Sequence, residues 1–267
     1  MAEEQQYFAA DAEFQDEASR LRVIESLSDP STIRHLETLE VGPGWRCLEV
    51  GAGGGSIASW LSERVGIEGH VVAMDIDVRF LQHLTAANIE VRRQDITNDD
   101  AEQAAFDLAH CRSLLVHLPD PEMVLRRMAA ALRPGGWLLA EEPYFDVMVA
   151  VHDAHPLAKA FNTTIEVMFG FLSEAGIMHS AFGRTLPSLM EQVGLVGVDH
   201  DGVTDIARGG DTASSNWLSV LERLGGHLVS QAVLDDTDLV QTQRALADPT
   251  FRYVNGVVFS GWGQRQN

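Results

Sequence analysis

Apolar and polar positions along residues 45–143 alternate between two periods. Short apolar runs, WRCLEV (45–50), HVVAMDI (70–76), IEVRRQD (89–95), FDLAHC (106–111) and WLLAEEP (137–143), have the length and bounds of strands. Between them lie helical patterns. SIASWLSERVG (56–66) places Ile57, Trp60, Leu61 and Val65 on one face, and VRFLQHLTAA (78–87) groups Phe80, Leu81 and Leu84. DPEMVLRRMAAALRPGG (120–136) carries the clearest signals: Asp120 as cap, Pro121 in the first turn, a face of Val124, Leu125, Met128 and Leu132, and a stop at Pro134-Gly135-Gly136. This alternation predicts an α/β fold, a parallel sheet covered by helices on both faces. In such sheets ligands lie beyond the carboxyl ends of the strands.

The remainder is less regular. Residues 156–173 predict a helix with Phe161, Ile165, Met168 and Leu172 in register, flanked by Phe169 and Phe171. This stripe reads as core, or as a lid over an apolar acceptor. A short helix is expected at 188–194, a strand at 195–207, helices over 213–247 broken near Asp235-Asp236, and a last strand at 251–265.

The polar residues at the strand ends carry the chemistry. Glu49 precedes Gly51, Gly53, Gly54 and Gly55. Glycines there permit a tight turn and close approach of a ligand, and the following helix offers its first amides to an anion. A dinucleotide fingerprint starting at Gly51 requires glycine at position 56, where the chain has Ser56. Asp75 ends the second run, placed to accept both hydroxyl hydrogens of a ribose. Asp95 ends the third, placed to accept a hydrogen bond from an adenine amino group.

Charge narrows the partners. Lys plus Arg number 19 against 39 Asp plus Glu, a formal net charge of −20, so nucleic acid is not expected. The acidic N-terminus lacks an apolar signal core and no run of about 20 apolar residues occurs; the expectation is a soluble, cytoplasmic protein without membrane attachment. Oligomeric state has no sequence signature. Cys47 and Cys111 fall near opposite ends of their strands, about four residues or roughly 13 Å apart, too far for a disulfide. His117, just past the fourth strand, is a candidate general base or a loop anchor. His155 is a second catalytic candidate. His152 and His155 are three apart, but no third ligand has helical spacing and no metal is expected. Glu141, Glu142 and Tyr144 are read as facing an acceptor pocket or solvent.

The runs LEVGAGGG, VVAMDID, RRQDI and FDLAHCRSLLVHLPDPEMVLRRMAAALRPGGWLLAEEP together resemble the class I S-adenosylmethionine-dependent methyltransferases, in the small-molecule branch that includes the menaquinone/ubiquinone methyltransferase-like enzymes. The resemblance implies a Rossmann-like, doubly wound sheet of seven mostly parallel strands, the last antiparallel, in one domain spanning 1–267. It implies an N-terminal helical segment at 1–40, a cofactor-binding core at 45–143, and helical cap insertions at 144–182 and 208–248. The implied cofactor is S-adenosylmethionine, with S-adenosylhomocysteine as product and a small molecule as methyl acceptor. Glu49 would orient the loop and help hold the methionine end, with loop amides and an ammonium group as its partners. Gly51, Ala52 and Gly53 would pass beneath that end, and backbone near Cys111 would contact the amino group. Asp75 would bind ribose with Ile76 on adenine, Asp95 and Ile96 would recognise the adenine edge, and Tyr7 would close over the cofactor. The alternatives are a nicotinamide-dependent oxidoreductase, disfavoured by Ser56, and a cofactor-binding protein that transfers no methyl group.

Overall fold

The computed structural model describes residues 14–99 and 101–266. In chain order the elements are α1 (Phe14–Thr38), β1 (Arg46–Val50), α2 (Ser56–Val65), β2 (His70–Asp75), β3 (Ile89–Arg93), β4 (Phe106–Arg112), α3 (Pro121–Ala131), β5 (Leu132–Tyr144), α4 (Ala158–Glu174), α5 (Leu186–Gln192), β6 (Leu195–Val203), β7 (Ile206–Arg208), α6 (Thr212–Ser230), α7 (Asp236–Ala247), β8 (Arg252–Val254) and β9 (Val257–Arg265). They form two compact units. The first holds the described residues up to Glu142, Phe182–Asp201 and those from Phe259 onward; the second holds Pro143–Ala181 and Gly202–Val258.

The first unit is built on a seven-stranded sheet in the order β3-β2-β1-β4-β5-β9-β6. The pairs β1–β2, β2–β3, β1–β4 and β4–β5 are parallel. This is the expected α/β class. Leu48, Val50, Val71, Val72, Leu108 and Ala109 are fully buried or nearly so, as strands covered on both faces require. Asp120 caps α3 by accepting the Met123 amide at 2.9 Å, with Pro121 in the first turn.

Four expected elements differ. The helix anticipated at 78–87 is a 3-10 turn at Val78–Leu81 followed by irregular backbone. Beyond the turn Leu84 N donates to Leu81 O at 3.0 Å, and both leucine side chains lie against Gly55. The α3 helix stops at Ala131, before the Pro-Gly-Gly signal. Pro134 biases Arg133 toward extended backbone, and Leu132 already pairs with Phe106. The Pro-Gly-Gly segment then lies inside β5, where the register with β4 shifts between Phe106 and Leu108. The strand anticipated at 195–207 divides into β6 and β7, and that at 251–265 into β8 and β9. The two breaks bond to each other: Thr204 Oγ1 donates to Gly256 O at 2.6 Å and Asn255 N donates to Asp205 O at 3.1 Å.

The second unit has its own core. Phe161, Ile165, Met168, Phe169 and Leu172 of α4 pack with Trp217 and Leu221 of α6 and Leu246 of α7. Phe161 rests on Phe251 and Tyr253, each 5.0 Å between ring centres. The α4 stripe is therefore core. A short antiparallel pair, β7 with β8, completes this unit.

Candidate functional site

Parallel pairing brings the carboxyl ends of β1, β2 and β3 side by side, and with them Glu49, Asp75 and the Asp95 that follows β3. The loop after β1 is anchored to β2: Gly51 N and Ala52 N both donate to Met74 O, at 2.9 and 3.1 Å. Gly51 (φ +71°) and Gly55 (φ +86°) occupy left-handed backbone, which favours glycine over every other residue.

Asp75 closes this turn. Its Oδ2 accepts Gly53 N and its Oδ1 accepts Asp77 N, both at 2.9 Å. The Ile76 amide also bonds this carboxylate, and with about four lone-pair sites it retains capacity for a further donor. Burial pushes this carboxyl above its ordinary value, against the lowering pull of the Asp77 and Gly53 amides. Ile76 follows as a half-exposed apolar side chain (52%). Asp95 folds its own turn, accepting Thr97 N, Thr97 Oγ1 and Asn98 Nδ2 at 2.7–2.8 Å. Slight burial raises its carboxyl, but these bonds outweigh it and hold the group below the usual range. Ile96 is buried and its carbonyl accepts from Arg127.

Glu49 is buried, as its place in the strand requires, but its partner differs from expectation. In place of loop amides, Glu49 Oε2 lies 2.7 Å from Nδ1 of His110, its register partner on β4. The opposite ring nitrogen of His110 lies 3.4 Å from Glu141 Oε2. Glu141 also accepts from Thr32 of α1 and from Ser260 of β9, and its Oε1 lies 2.9 Å from His35 Nδ1. His35 Nε2 continues the series to Asp201 at 3.3 Å. Burial pushes the Glu141 carboxyl up, but His110, His35 and Thr32 outweigh it and hold it well below the ordinary value. For His110, burial alone would lower the imidazole; Glu49 and Glu141 instead raise it to about 9. Residue-by-residue reading missed His110 and His35. The signal for His110 was present: a lone histidine in an apolar strand, one residue before the strand's last apolar position, as Glu49 is in β1.

Glu141 and Glu142 were expected to face an acceptor pocket or water. Both are buried within β5. Glu142 accepts three consecutive amides, Leu114 N, Leu115 N and Val116 N, at 3.0, 2.9 and 3.1 Å. It thereby shapes the turn carrying His117. Burial pushes its carboxyl up to about 7 against those amide bonds.

The first amide of α2, which the sequence offered to a ligand anion, faces the protein's own carboxylate: Ser56 N donates to Glu25 Oε1 at 3.3 Å. Ser56 Oγ donates to Asp29 Oδ1 at 3.0 Å, and Arg112 joins Asp29 and Thr32 at 2.9 and 2.8 Å. Helix α1 is thus stitched to the glycine loop by a polar seam.

Cys111 is fully buried, and burial pushes its thiol well above the ordinary value; Cys47 is buried three residues back along the neighbouring strand and both are free. His117 is half-buried in the first unit at the end of a 3-10 turn. His155 lies in the second unit, where its Nδ1 accepts Leu157 N at 3.3 Å and its ring meets Phe251 edge-on at 5.1 Å. It is a turn anchor. Tyr7 lies outside the described residues. Among the described residues no helix is long and apolar enough to cross a membrane.

Residues 7–200 match the family model described as Methyltransferase domain. The chain belongs to the methyltransferase domain family. A relative, methyltransferase str2 of Strobilurus tenacellus, is 29% identical over 162 residues, 58% of this chain and 55% of that protein. The ubiquinone biosynthesis O-methyltransferase of Xanthomonas campestris is 35% identical over 103 residues, 36% of this chain and 42% of that protein. The chain spans about half the length of these curated relatives. Solved structures share its fold. Phosphoethanolamine N-methyltransferase 2 of Haemonchus contortus, bound to phosphomonomethylethanolamine and S-adenosylhomocysteine, superposes with a TM-score of 0.57 at 12% identity, over 95% of this chain and 58% of that one. The YcgJ protein of Bacillus subtilis gives 0.55 at 14% identity, over 88% and 100%.

Proposed function

We propose that this chain transfers a methyl group from S-adenosylmethionine to a small-molecule oxygen, nitrogen or carbon by direct displacement. One observation carries the reading: in a chain of the methyltransferase domain family, Glu49, the glycine loop, Asp75 and Asp95 follow one another across the ends of three adjacent strands. The residues fit the cofactor. Asp75 ends β2 with accepting capacity left for the hydroxyls of a ribose. Ile76 offers an exposed apolar surface beside it for adenine, with Asp95 and Ile96 at the adenine edge. Gly51, Ala52 and Gly53 pass beneath the methionine end, with Glu49 and the backbone near Cys111 toward its amino group.

When bound, the cofactor supplies a methyl group already activated on a sulfonium sulfur. The protein's part is then alignment and exclusion of water. For a hydroxyl acceptor, His117 is the base we retain, on the turn that follows β4 among the cofactor residues, whereas the His155 ring is engaged by Leu157 N and Phe251. We assign acceptor selection to residues 143–181 and 202–258, which include the expected cap segments, 144–182 and 208–248, except for Phe182.

Titration calorimetry with S-adenosylhomocysteine tests the reading. Binding is expected, with Asp75→Ala weakening it at least tenfold; unchanged affinity would sink the ribose assignment. Binding of NAD(H) without S-adenosylhomocysteine would return the nicotinamide alternative. Incorporation of labelled methyl into a metabolite pool separates an enzyme from a cofactor-binding protein that transfers nothing.

A further inference from the structure

We propose that His110 is a positioning residue, a fixed imidazolium that aims Glu49 at the amino group of the bound cofactor. This rests on the cofactor reading above and extends it to a residue in the interior of the sheet. His110 is wholly buried and stands in register with Glu49 on the adjacent strand, so backbone pairing sets the distance between them. Its two ring nitrogens face two carboxylates, Glu49 of β1 at 2.7 Å and Glu141 of β5 at 3.4 Å. A neutral imidazole has one donor and one acceptor; only the doubly protonated ring donates in both directions. His35 differs, because its Nε2 faces both a donor, Arg34 Nη2 at 3.2 Å, and an acceptor, Asp201 Oδ2 at 3.3 Å, so that nitrogen has a partner in either role.

The other groups around the pair are accounted for. From α1, Thr32 donates to Glu141 Oε2, the oxygen that faces His110, while His35 meets Oε1, to which β9 adds the Ser260 hydroxyl; Arg112, two residues on from His110, bonds Thr32 and Asp29. Among the described residues, Glu49 has one oxygen on His110 and no protein partner for the other, Oε1. One oxygen is tethered and the second is left to a ligand. Two carboxylates flanking one imidazolium carry a net charge of minus one, which suits an ammonium. Without the imidazolium, Glu49 would lose the donor that fixes its Oε2, and the carboxylate would no longer be aimed at a ligand cation.

The test compares two ligands on the full chain: S-adenosylhomocysteine, which has the amino acid end, and 5′-methylthioadenosine, which lacks it. His110→Gln and His110→Leu are expected to lose at least tenfold in affinity for the first and less than twofold for the second. Equal loss of both ligands, or unchanged affinity for S-adenosylhomocysteine, would overturn the proposal. If the wild-type chain binds no S-adenosylhomocysteine, the cofactor reading itself fails. A measurement without variants stands beside this. At pH 8 the imidazole nitrogen-15 shifts of His110 should report a doubly protonated ring, and a neutral tautomer there would overturn the assignment.

Discussion

Glu49 and His110 show how a buried charge is tolerated in a sheet. Each is a poor interior residue alone, and each satisfies the other across one strand spacing. The consequence for stability has a definite sign. His110 is raised to about 9 from an ordinary 6.5. Its stabilising contribution is complete below pH 6.5 and is lost as pH rises through about 9. The difference between those two values is worth on the order of 3 kcal/mol. Urea unfolding of wild type and His110→Gln should therefore differ most near pH 6, with the gap shrinking toward pH 10; a gap that stays constant would mean that the ring is not charged. Glu49, Asp75 and Asp95 were legible in the sequence because each interrupts an apolar run at its end. His110 stood out only as a lone histidine in an apolar strand, because its meaning depends on a partner 61 residues away, reached only through strand register.

Elements are held here by small residues and by single carboxylates with several donors. Gly55 has φ +86°, and a Cβ there would meet Leu81 and Leu84 at 3.0 Å. Gly44 has a similar φ of +81° with nothing within 4 Å. Gly55→Ala should cost more than Gly44→Ala, which carries only backbone strain of about 1–3 kcal/mol; denaturant midpoints compare the two directly. The same contact lies where the helix anticipated at 78–87 did not form. Apolar residues at 80, 81 and 84 fit a helical pattern as well as they fit the observed turn, so periodicity did not separate the two. Glu142 is the second case. Glu142→Gln replaces one accepting oxygen with a donor that faces a backbone amide, so at least one of the three N–H groups, two of them buried, loses its partner. The expected loss is about 1–3 kcal/mol, read by thermal unfolding, with faster amide exchange at Leu114, Leu115 and Val116.

At the scale of the molecule the chain divides where composition gave no warning. No stretch rich in proline, glycine or serine separates the units, because the chain passes between them four times, after Glu142, Ala181, Asp201 and Val258. A unit assembled from two separate segments leaves no single linker to read. Its core was nonetheless visible as the α4 stripe, since helical periodicity is local. Every described residue assigned to the cofactor lies in the first unit, and the aromatic core around Phe161 lies in the second. Phe161 is fully buried, so Phe161→Ala should cost the second unit about 3–5 kcal/mol. If acceptor selection belongs to that unit, this variant keeps its S-adenosylhomocysteine affinity within twofold while its rate of methyl transfer falls at least tenfold. Calorimetry gives the first quantity and labelled-methyl incorporation the second. A parallel loss of both would show that cofactor binding depends on the second unit, and the division of labour proposed between the units would have to be abandoned.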